Sequence, residues 1–210
     1  MTAAAAGAFA LIVAVDWAAV HRRWARAEQV AKPLAMLALA WLALTLGAAD
    51  DATGRLVLVA LAFSLAGDVF LLREGKTDFV GGLVSFLLAH LAYVLAFLTL
   101  GFRQWWGLAG LLIAAALSLS AGRRIVRGAA DQGGAALGAG VTAYLLVISA
   151  MVVTASGTGR LLVLLGAVSF LVSDTVLALD RFVGQRPHSR MVVIVTYHLG
   201  QLMMVIGALQ

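Results

Sequence analysis

Two aspartates, Asp68 and Asp174, lie within strongly apolar stretches of this 210-residue sequence. Each follows a small residue, about four helical turns after a Gly-Arg pair that begins at Gly54 or at Gly159. We therefore expect the two carboxyl groups at matching depth in two membrane-spanning helices. An ionisable group inside a membrane costs about 2.5–3.5 kcal/mol or more, so its presence indicates a functional site. Carboxyl groups placed in this way can transfer protons or contribute ligands to a metal ion.

Other polar side chains occur at related depths and can face the same polar cavity, in the cytoplasmic half of a helix bundle. Gln201 lies one turn beyond Tyr197 on the same helix face. His198 lies about 100° around the helix from Tyr197, so we expect it to pack, and we assign no chemistry to Asp16 near the end of its apolar run. The candidate binding residues are Lys32, His90, Tyr93, Tyr144, Ser173, Tyr197 and Gln201.

Each candidate also has a structural interpretation. Asp68 and Asp174 can be interfacial carboxylates paired with loop arginines such as Arg73 and Arg181. His90 can bind a backbone carbonyl across a helix interface, and the tyrosines can be packing or interface aromatics.

Two further kinds of site are less well supported by the sequence. A metal site of both aspartates with His90 fits the ligand types, but no H-x-x-x-H spacing supports it, and we predict no metal and no other cofactor. A serine hydrolase would use Ser173, but G-x-S-x-G does not occur and no His partner is evident.

The composition places these residues in a membrane protein. Hydrophobic residues make up 63% of the chain and charged residues 12%, and the mean hydropathy is +1.01, which excludes a soluble globular enzyme. Cysteine is absent, which excludes disulfides, thiolate metal sites and cysteine nucleophiles. One span needs about 20 apolar residues, so roughly eight spans fill the chain as a single domain, residues 1–210.

We predict an all-α fold, a polytopic membrane helix bundle of about eight transmembrane helices. Apolar runs place the spans at residues 3–20, 33–48, 56–72, 79–100, 105–121, 135–155, 161–179 and 191–209. Pro33 suits the first turn of the second span, where its missing N–H is no loss. Gly134 and Gly138 form a G-x-x-x-G pattern, which indicates helix packing.

The basic residues of the loops predict the orientation. The even-numbered loops hold three, Arg55, Arg103 and Arg160. The odd-numbered loops hold the other twelve: Arg22, Arg23, Arg26, Lys32, Arg73, Lys76, Arg123, Arg124, Arg127, Arg181, Arg186 and Arg190. Because cytoplasmic loops are rich in Lys and Arg, we expect the odd loops in the cytoplasm and both termini on the other side of the plasma (inner) membrane. Basic residues confined to loops also argue against a nucleic-acid partner, although the formal charge is +5.

The two aspartate segments suggest an internal repeat. After each aspartate, the next helix carries a His and a Tyr, His90 with Tyr93 and His198 with Tyr197. Helices one to four and five to eight can therefore form two four-helix repeats in parallel orientation. Shared apolar composition can also produce this similarity.

Short motifs run in order from residue 32 to residue 201, at 32–34, 63–72, 85–93, 144–151, 173–182 and 196–201. Two are fairly specific, G-D-x-F-L-L around Asp68 and S-D-x-x-L-A-x-x-R-F around Asp174. On these motifs the sequence resembles the YhhN-like family of integral membrane lysoplasmalogenases. Asp180 stands where the family pattern leads us to expect Asn, and His198 where it leads us to expect an aromatic or apolar residue.

The resemblance implies an enzyme whose partner is a lysophospholipid. It would hydrolyse the vinyl ether bond of a lysoplasmalogen to a fatty aldehyde and a glycerophospho-headgroup product. Such cleavage needs a proton donor, an anionic group and a held water, and Asp68 and Asp174 would divide the first two roles as carboxyl pairs do in glycosidases. We take Asp174 as the acid and Lys32 as the partner of the lipid phosphate. The residues that would position water and the glycerol oxygens are His90, Tyr144, Tyr197 and Gln201.

Two other classes of protein stay open at this point. Buried charges and a possible repeat also suit a secondary transporter for a small amphipathic or lipid-like substrate. A structural or regulatory membrane protein would use neither aspartate for chemistry.

Overall fold

The computed structural model describes residues 1–73 and 75–210, with the exception of the side chain of Lys76. Lys76 was counted among the loop charges, and its side chain lies outside the described part. Within that part every regular element is helical: α1 (Thr2–Arg22), α2 (Ala25–Thr45), α3 (Ala52–Leu71), α4 (Lys76–Thr99), α5 (Gln104–Gly157), α6 (Leu161–Phe182) and α7 (Ser189–Leu209). All seven are long and apolar enough to cross a membrane. The prediction of an all-α, polytopic membrane protein is confirmed.

The helix count differs from the expected eight because the fifth and sixth predicted spans both lie in α5. A straight helix of its 54 residues would be about 80 Å long, far more than the roughly 30 Å of a bilayer core. Gly133 and Gly134 interrupt it with non-helical dihedral angles, and Gly134 has φ +72°, a conformation that glycine adopts without strain. The chain therefore turns there, between an arm of residues 104–132 and an arm of residues 135–157.

Contacts between the two arms show that they lie antiparallel. The hydroxyl oxygens of Ser118 and Ser149 are 3.2 Å apart, and Ser156 Oγ donates to the carbonyl of Trp106 at 2.6 Å. A Cβ on Gly138 would lie 3.1 Å from Ala130 Cβ, so Gly138 packs closely, as expected from the G-x-x-x-G pattern. Its partner in that pattern, Gly134, has open space around it and serves the turn instead.

The first arm of α5 continues well past the predicted end of the fifth span at residue 121. Arg123, Arg124 and Arg127, which we assigned to a loop, are exposed residues of this helix. At its end, the side-chain amide of Gln132 donates to the carbonyls of Arg181 and Phe182 at 3.4 and 3.3 Å. These are among the last carbonyls of α6, which the helix itself leaves without an N–H donor.

A second difference concerns the start of α2. The helix begins at Ala25, so Pro33 is an interior residue and not part of the first turn, and that prediction is wrong. Proline inside a helix removes the N–H that would bind the carbonyl four residues earlier. That carbonyl belongs to Gln29, an exposed residue near the basic end of the helix, where water can take the place of the missing donor.

The helices form two compact units, residues 1–100 with 205–210, and residues 101–204. In the first unit α1 packs on α2, α2 on α3 and α3 on α4. In the second unit α5 packs on α6, and α6 approaches α7 so closely at Gly166 and Gly200 that a Cβ on either would lie within 3 Å of the other's carbonyl oxygen. The boundary after Leu100 falls where the predicted repeat divides. The repeat and the single domain stay predictions.

Candidate functional site

In the first unit, Asp68 and Lys32 form a buried salt bridge. Asp68 is in the last turn of α3 and is fully buried, and Lys32 Nζ lies 3.1 Å from its Oδ1. The Lys32 side chain is only 14% exposed. The sequence nominated both residues but placed Lys32 in front of its helix, at a cytoplasmic mouth. Because α2 begins earlier, Lys32 lies inside the helix and reaches the carboxylate of the neighbouring one.

This salt bridge replaces the loop pairing that we considered for Asp68. Arg73 instead lies 3.7 Å from Asp78 in the first turn of α4, and its side chain is largely exposed. Exposed pairs of this kind contribute little to stability, whereas a buried pair is costly to break.

A further buried carboxyl group in this unit, Asp16, was not among the candidate site residues. It lies on α1 and is fully buried. The sequence assigned it no chemistry because it lies near the end of its apolar run. Its spacing from Val13 and Val20, three and four residues away on the buried face of α1, was the signal that could have placed it inside.

His90 and Tyr93 occupy one buried face of α4. Both side chains are fully buried, and they are three residues apart, so they lie on the same side of the helix. The ring of Tyr93 stacks on that of Phe97, with centroids 5.6 Å apart. The structure therefore supports an interior position for both candidates and gives Tyr93 a packing role as well.

In the second unit, Asp174 of α6 accepts a hydrogen bond from Tyr144. The donor is the phenolic hydroxyl of Tyr144, on the arm of residues 135–157, and the acceptor is Asp174 Oδ2. Tyr144 is buried and Asp174 is half-buried. Asp174 thus differs from Asp68, because its described partner is a neutral donor and not a cation.

The two aspartates lie at different distances from the ends of their own helices. Asp68 lies in the last turn of α3, whereas α6 continues for about two turns after Asp174. The reason is that α6 extends to Phe182, past the predicted end at residue 179.

The remaining candidates of the second unit lie on α6 and α7. Ser173 Oγ donates to the carbonyl of Val193 at 3.0 Å, so its one hydrogen is used and its lone pairs are what it can offer a substrate. Tyr197 packs edge-on against Phe170, with centroids 5.3 Å apart. Gln201 is fully buried, and His198 is buried with its ring 5.4 Å from that of Tyr197.

Among the described residues, no group of three or more His, Asp and Glu side chains could hold a metal ion.

Comparison with known proteins adds to this geometry. The sequence model of the YhhN family matches residues 27–208. Lysoplasmalogenase TMEM86A of Bos taurus is 31% identical over 166 residues, which cover 73% of this chain and 65% of that protein. Lysoplasmalogenase TMEM86B of Homo sapiens is 33% identical over 151 residues, 72% of this chain and 62% of that protein. The chain thus spans slightly less than two thirds of these relatives. No solved structure matches it.

We predict that the Lys32–Asp68 salt bridge is essential to the stability of the first unit. Lys32→Met removes the ammonium that balances a buried carboxylate and should cost about 3–5 kcal/mol, whereas the double variant Lys32→Met/Asp68→Asn should recover most of that loss. The measurement is thermal unfolding of the purified protein in detergent.

Arg73→Ala is the matched control, because its exposed pair with Asp78 is worth about 1 kcal/mol at most. A double variant as unstable as Lys32→Met alone would show that the pair does not balance charge.

Proposed function

Since this chain belongs to the YhhN family, we propose that it is a lysoplasmalogenase, an integral membrane enzyme that hydrolyses the vinyl ether bond of lysoplasmalogens. The names of its relatives support this activity. The observation that carries the proposal is a pair of intramembrane aspartates in different settings, Asp68 in a salt bridge with Lys32 and Asp174 bound by Tyr144. The substrate would be a lysophospholipid that enters from the surrounding membrane.

The reaction divides into steps that two carboxyl groups can serve. An acid protonates the β-carbon of the vinyl ether, which leaves an oxocarbenium ion at the carbon bonded to oxygen. Water adds to that carbon, and loss of a proton gives a hemiacetal. The hemiacetal collapses to a fatty aldehyde and a glycerophosphoethanolamine or glycerophosphocholine. The site must therefore donate a proton, stabilise a cation and hold a water.

Asp174 is the proton donor in this proposal. Tyr144 donates to Oδ2, so the transferable proton belongs on Oδ1. After the transfer, the same hydrogen bond stabilises the carboxylate that has formed, because hydrogen bonds to a charged acceptor are stronger than neutral ones. Tyr144 is thus a positioning residue that fixes which oxygen of Asp174 acts.

Asp68 is the anionic group. As half of a salt bridge it carries the negative charge that the oxocarbenium ion requires nearby. Lys32 has three N–H donors and can bind a phosphate oxygen while it keeps its contact with Asp68. When Lys32 binds the phosphate, its positive charge balances Asp68 less completely. Asp68 then attracts the oxocarbenium ion more strongly.

The remaining candidates would hold the water and the glycerol oxygens. His90 and Gln201 are fully buried and carry groups that both donate and accept hydrogen bonds. Tyr93 and Tyr197 supply hydroxyl groups beside apolar rings, which suits a substrate with a polar glycerol next to an alkenyl chain. Ser173 contributes through its lone pairs and by fixing α6 against α7.

We predict that Asp68→Asn and Asp174→Asn each lower kcat for aldehyde release by at least about a hundredfold, the usual size of one acid–base or electrostatic contribution. The double variant should be barely worse than the worse single variant, because groups that act as a unit are not additive. The assay measures aldehyde from a lysoplasmalogen in detergent micelles.

Detergent removes every gradient, so aldehyde release there separates an enzyme from a transporter. Asp78→Asn is the control, since Asp78 lies in the exposed pair with Arg73. If either site variant keeps near-full kcat, that aspartate takes no part in catalysis and the carboxylate-pair mechanism is wrong.

We predict that Lys32→Met raises KM about tenfold or more for a lysoplasmalogen, because a charge-assisted phosphate contact is worth about 1.5–3 kcal/mol. An alkenylglycerol that lacks the phosphate should show no such change. The readout is the ratio of the two KM values, which a general loss of folded protein would not alter. A KM increase of equal size for both substrates would show that a residue other than Lys32 binds the phosphate.

We also propose that the basic loops face the cytoplasm and that both termini face the other side of the plasma membrane. Single cysteines at Gln185 or Arg123 should be shielded from a membrane-impermeant thiol reagent in intact cells, and a cysteine at Ala49 should react. All three positions are exposed, and the chain has no native cysteine to interfere. The reverse labelling pattern would overturn the orientation.

A further inference from the structure

The second unit carries two arginines at the end of its helices that is remote from Asp174. Arg103 precedes the arm of residues 104–132, and Arg160 precedes α6. Because the two arms of α5 are antiparallel, the chain returns after the second arm to the end at which Arg103 lies. The backbone N–H of Arg103 donates to the carbonyl of Gly157 at 2.7 Å, which fixes this arrangement.

The Arg103 side chain lies across the loop between α5 and α6. A Cβ on Gly159 would be 3.3 Å from both Cδ and Nη1 of Arg103. Gly159 has φ +71°, so glycine at this position allows the turn and also leaves room for the guanidinium group. Arg160 follows directly, and its N–H binds Thr158 Oγ1 at 3.1 Å. The loop therefore brings two positive charges to this end of the unit.

The acidic side chains of the second unit lie too far away to balance these charges. The structure describes every residue of the unit, and its acidic residues are Asp131, Asp174 and Asp180. All three lie roughly 20 Å or more along the helices from the end at which Arg103 and Arg160 lie. An anion that neutralises the two arginines must therefore come from outside this unit.

Exposed aromatic side chains surround Arg103 at the start of the first arm. Trp105 is 84% exposed, Trp106 51% and Phe102 47%. Ser156 Oγ donates to the carbonyl of Trp106, so the backbone that carries these rings is held by the second arm. Tryptophan is enriched at the headgroup level of membranes. The aromatic rings therefore indicate that Arg103 lies in the layer that contains the lipid phosphates.

We propose that Arg103 and Arg160 bind the phosphate of a membrane phospholipid, whose acyl chains lie along the exposed side chains of Trp105, Leu108 and Leu112. These three residues share one face of the helix. Guanidinium groups suit this ligand because their N–H donors match the oxygens of a phosphate. The lipid is anionic and has no amine, as in phosphatidylglycerol, because a choline or ethanolamine cation would meet no acidic side chain of this unit here.

This phospholipid is distinct from the substrate of the proposed reaction. In a lysoplasmalogen only a three-carbon glycerol separates the phosphate from the vinyl ether. Asp174, however, lies roughly 20 Å beyond Arg160 along α6. A lipid whose phosphate is bound by Arg103 and Arg160 therefore cannot present a vinyl ether to Asp174. The site is a second lipid site, and it goes beyond the proposed function.

The test measures how far added lipid stabilises the purified protein in a neutral detergent. Phosphatidylglycerol should raise the melting temperature by about 3 °C or more relative to phosphatidylcholine, the shift expected for a ligand at roughly ten times its Kd. Arg103→Gln should lose at least about half of this gain, because a charged partner of the phosphate is removed. Arg160→Gln should also lose part of it, and Arg103→Lys should retain more than Arg103→Gln.

Arg55→Gln is the matched control. Arg55 is exposed and also belongs to an even-numbered loop, but its Nη1 donates to the carbonyl of Ala49, and Asp50 and Asp51 are close to it in the sequence. This variant should therefore keep the full gain from phosphatidylglycerol. Each gain is measured against the same variant without lipid, so a change in intrinsic stability does not affect the comparison.

Two other ligands identify the source of the phosphate. Inorganic phosphate at the same concentration should give no gain, because it has no acyl chains to contact Trp105 and Leu108. A lysoplasmalogen should stabilise Arg103→Gln as much as wild type, because its phosphate binds elsewhere. A gain from inorganic phosphate equal to that from phosphatidylglycerol would show a site for free anions and overturn the inference.

Three further results would also overturn it. They are an equal gain from phosphatidylcholine and phosphatidylglycerol, a full gain in Arg103→Gln, and a loss of stabilisation by lysoplasmalogen in Arg103→Gln. The last result would assign Arg103 to the substrate. If the wild-type protein releases no aldehyde, the proposed function is wrong, and the comparison of the two phospholipids still decides whether this site exists.

Discussion

A charge buried among membrane-spanning helices must be balanced by a partner, and in the first unit the Lys32–Asp68 salt bridge meets this requirement. The pair joins α2 to α3 at one height, so it fixes how far the two helices can slide along each other. A register shift of one turn would separate the charges by several ångströms and leave both in an apolar setting. Because α2 begins at Ala25, eight residues before Pro33, Lys32 is held inside the helix, where it reaches Asp68.

The second unit also holds an aspartate among its helices, but the partner of that aspartate is a hydroxyl group. Asp174 is bound by the neutral hydroxyl of Tyr144, and it is half-buried where Asp68 is fully buried. Two residues of the same type therefore sit in unlike environments, one beside a cation and the other beside a hydroxyl donor. Division of work between an acid and an anionic group depends on such a difference, because identical surroundings would give both carboxyl groups the same behaviour.

The class of fold was predictable because hydropathy alone decides it. Apolar runs of about 20 residues separated by charged loops allow few alternatives to a helical membrane protein, and buried aspartates stand out against such a background. The start of α2 was not predictable, since a run with Lys32 and Glu28 falls below the hydropathy of a span although it is helical. Asp16 was missed for a related reason. It lies on the buried face of α1, and no local pattern on α1 shows which helix covers that face.

The length of the α5 arm that ends at Gly133 and Gly134 also affects how the second unit sits in the bilayer. The arm of residues 104–132 is about 40 Å long, roughly 10 Å more than the thickness of a hydrocarbon core. Arg123, Arg124 and Arg127 are exposed near the end of this arm, and Gln132 binds the carbonyls of Arg181 and Phe182 at the end of α6. A shift of this unit that carried the three guanidinium groups into hydrocarbon would cost about 2.5–3.5 kcal/mol or more for each. Their hydration therefore limits how deep the ends of this arm and of α6 can lie in the bilayer.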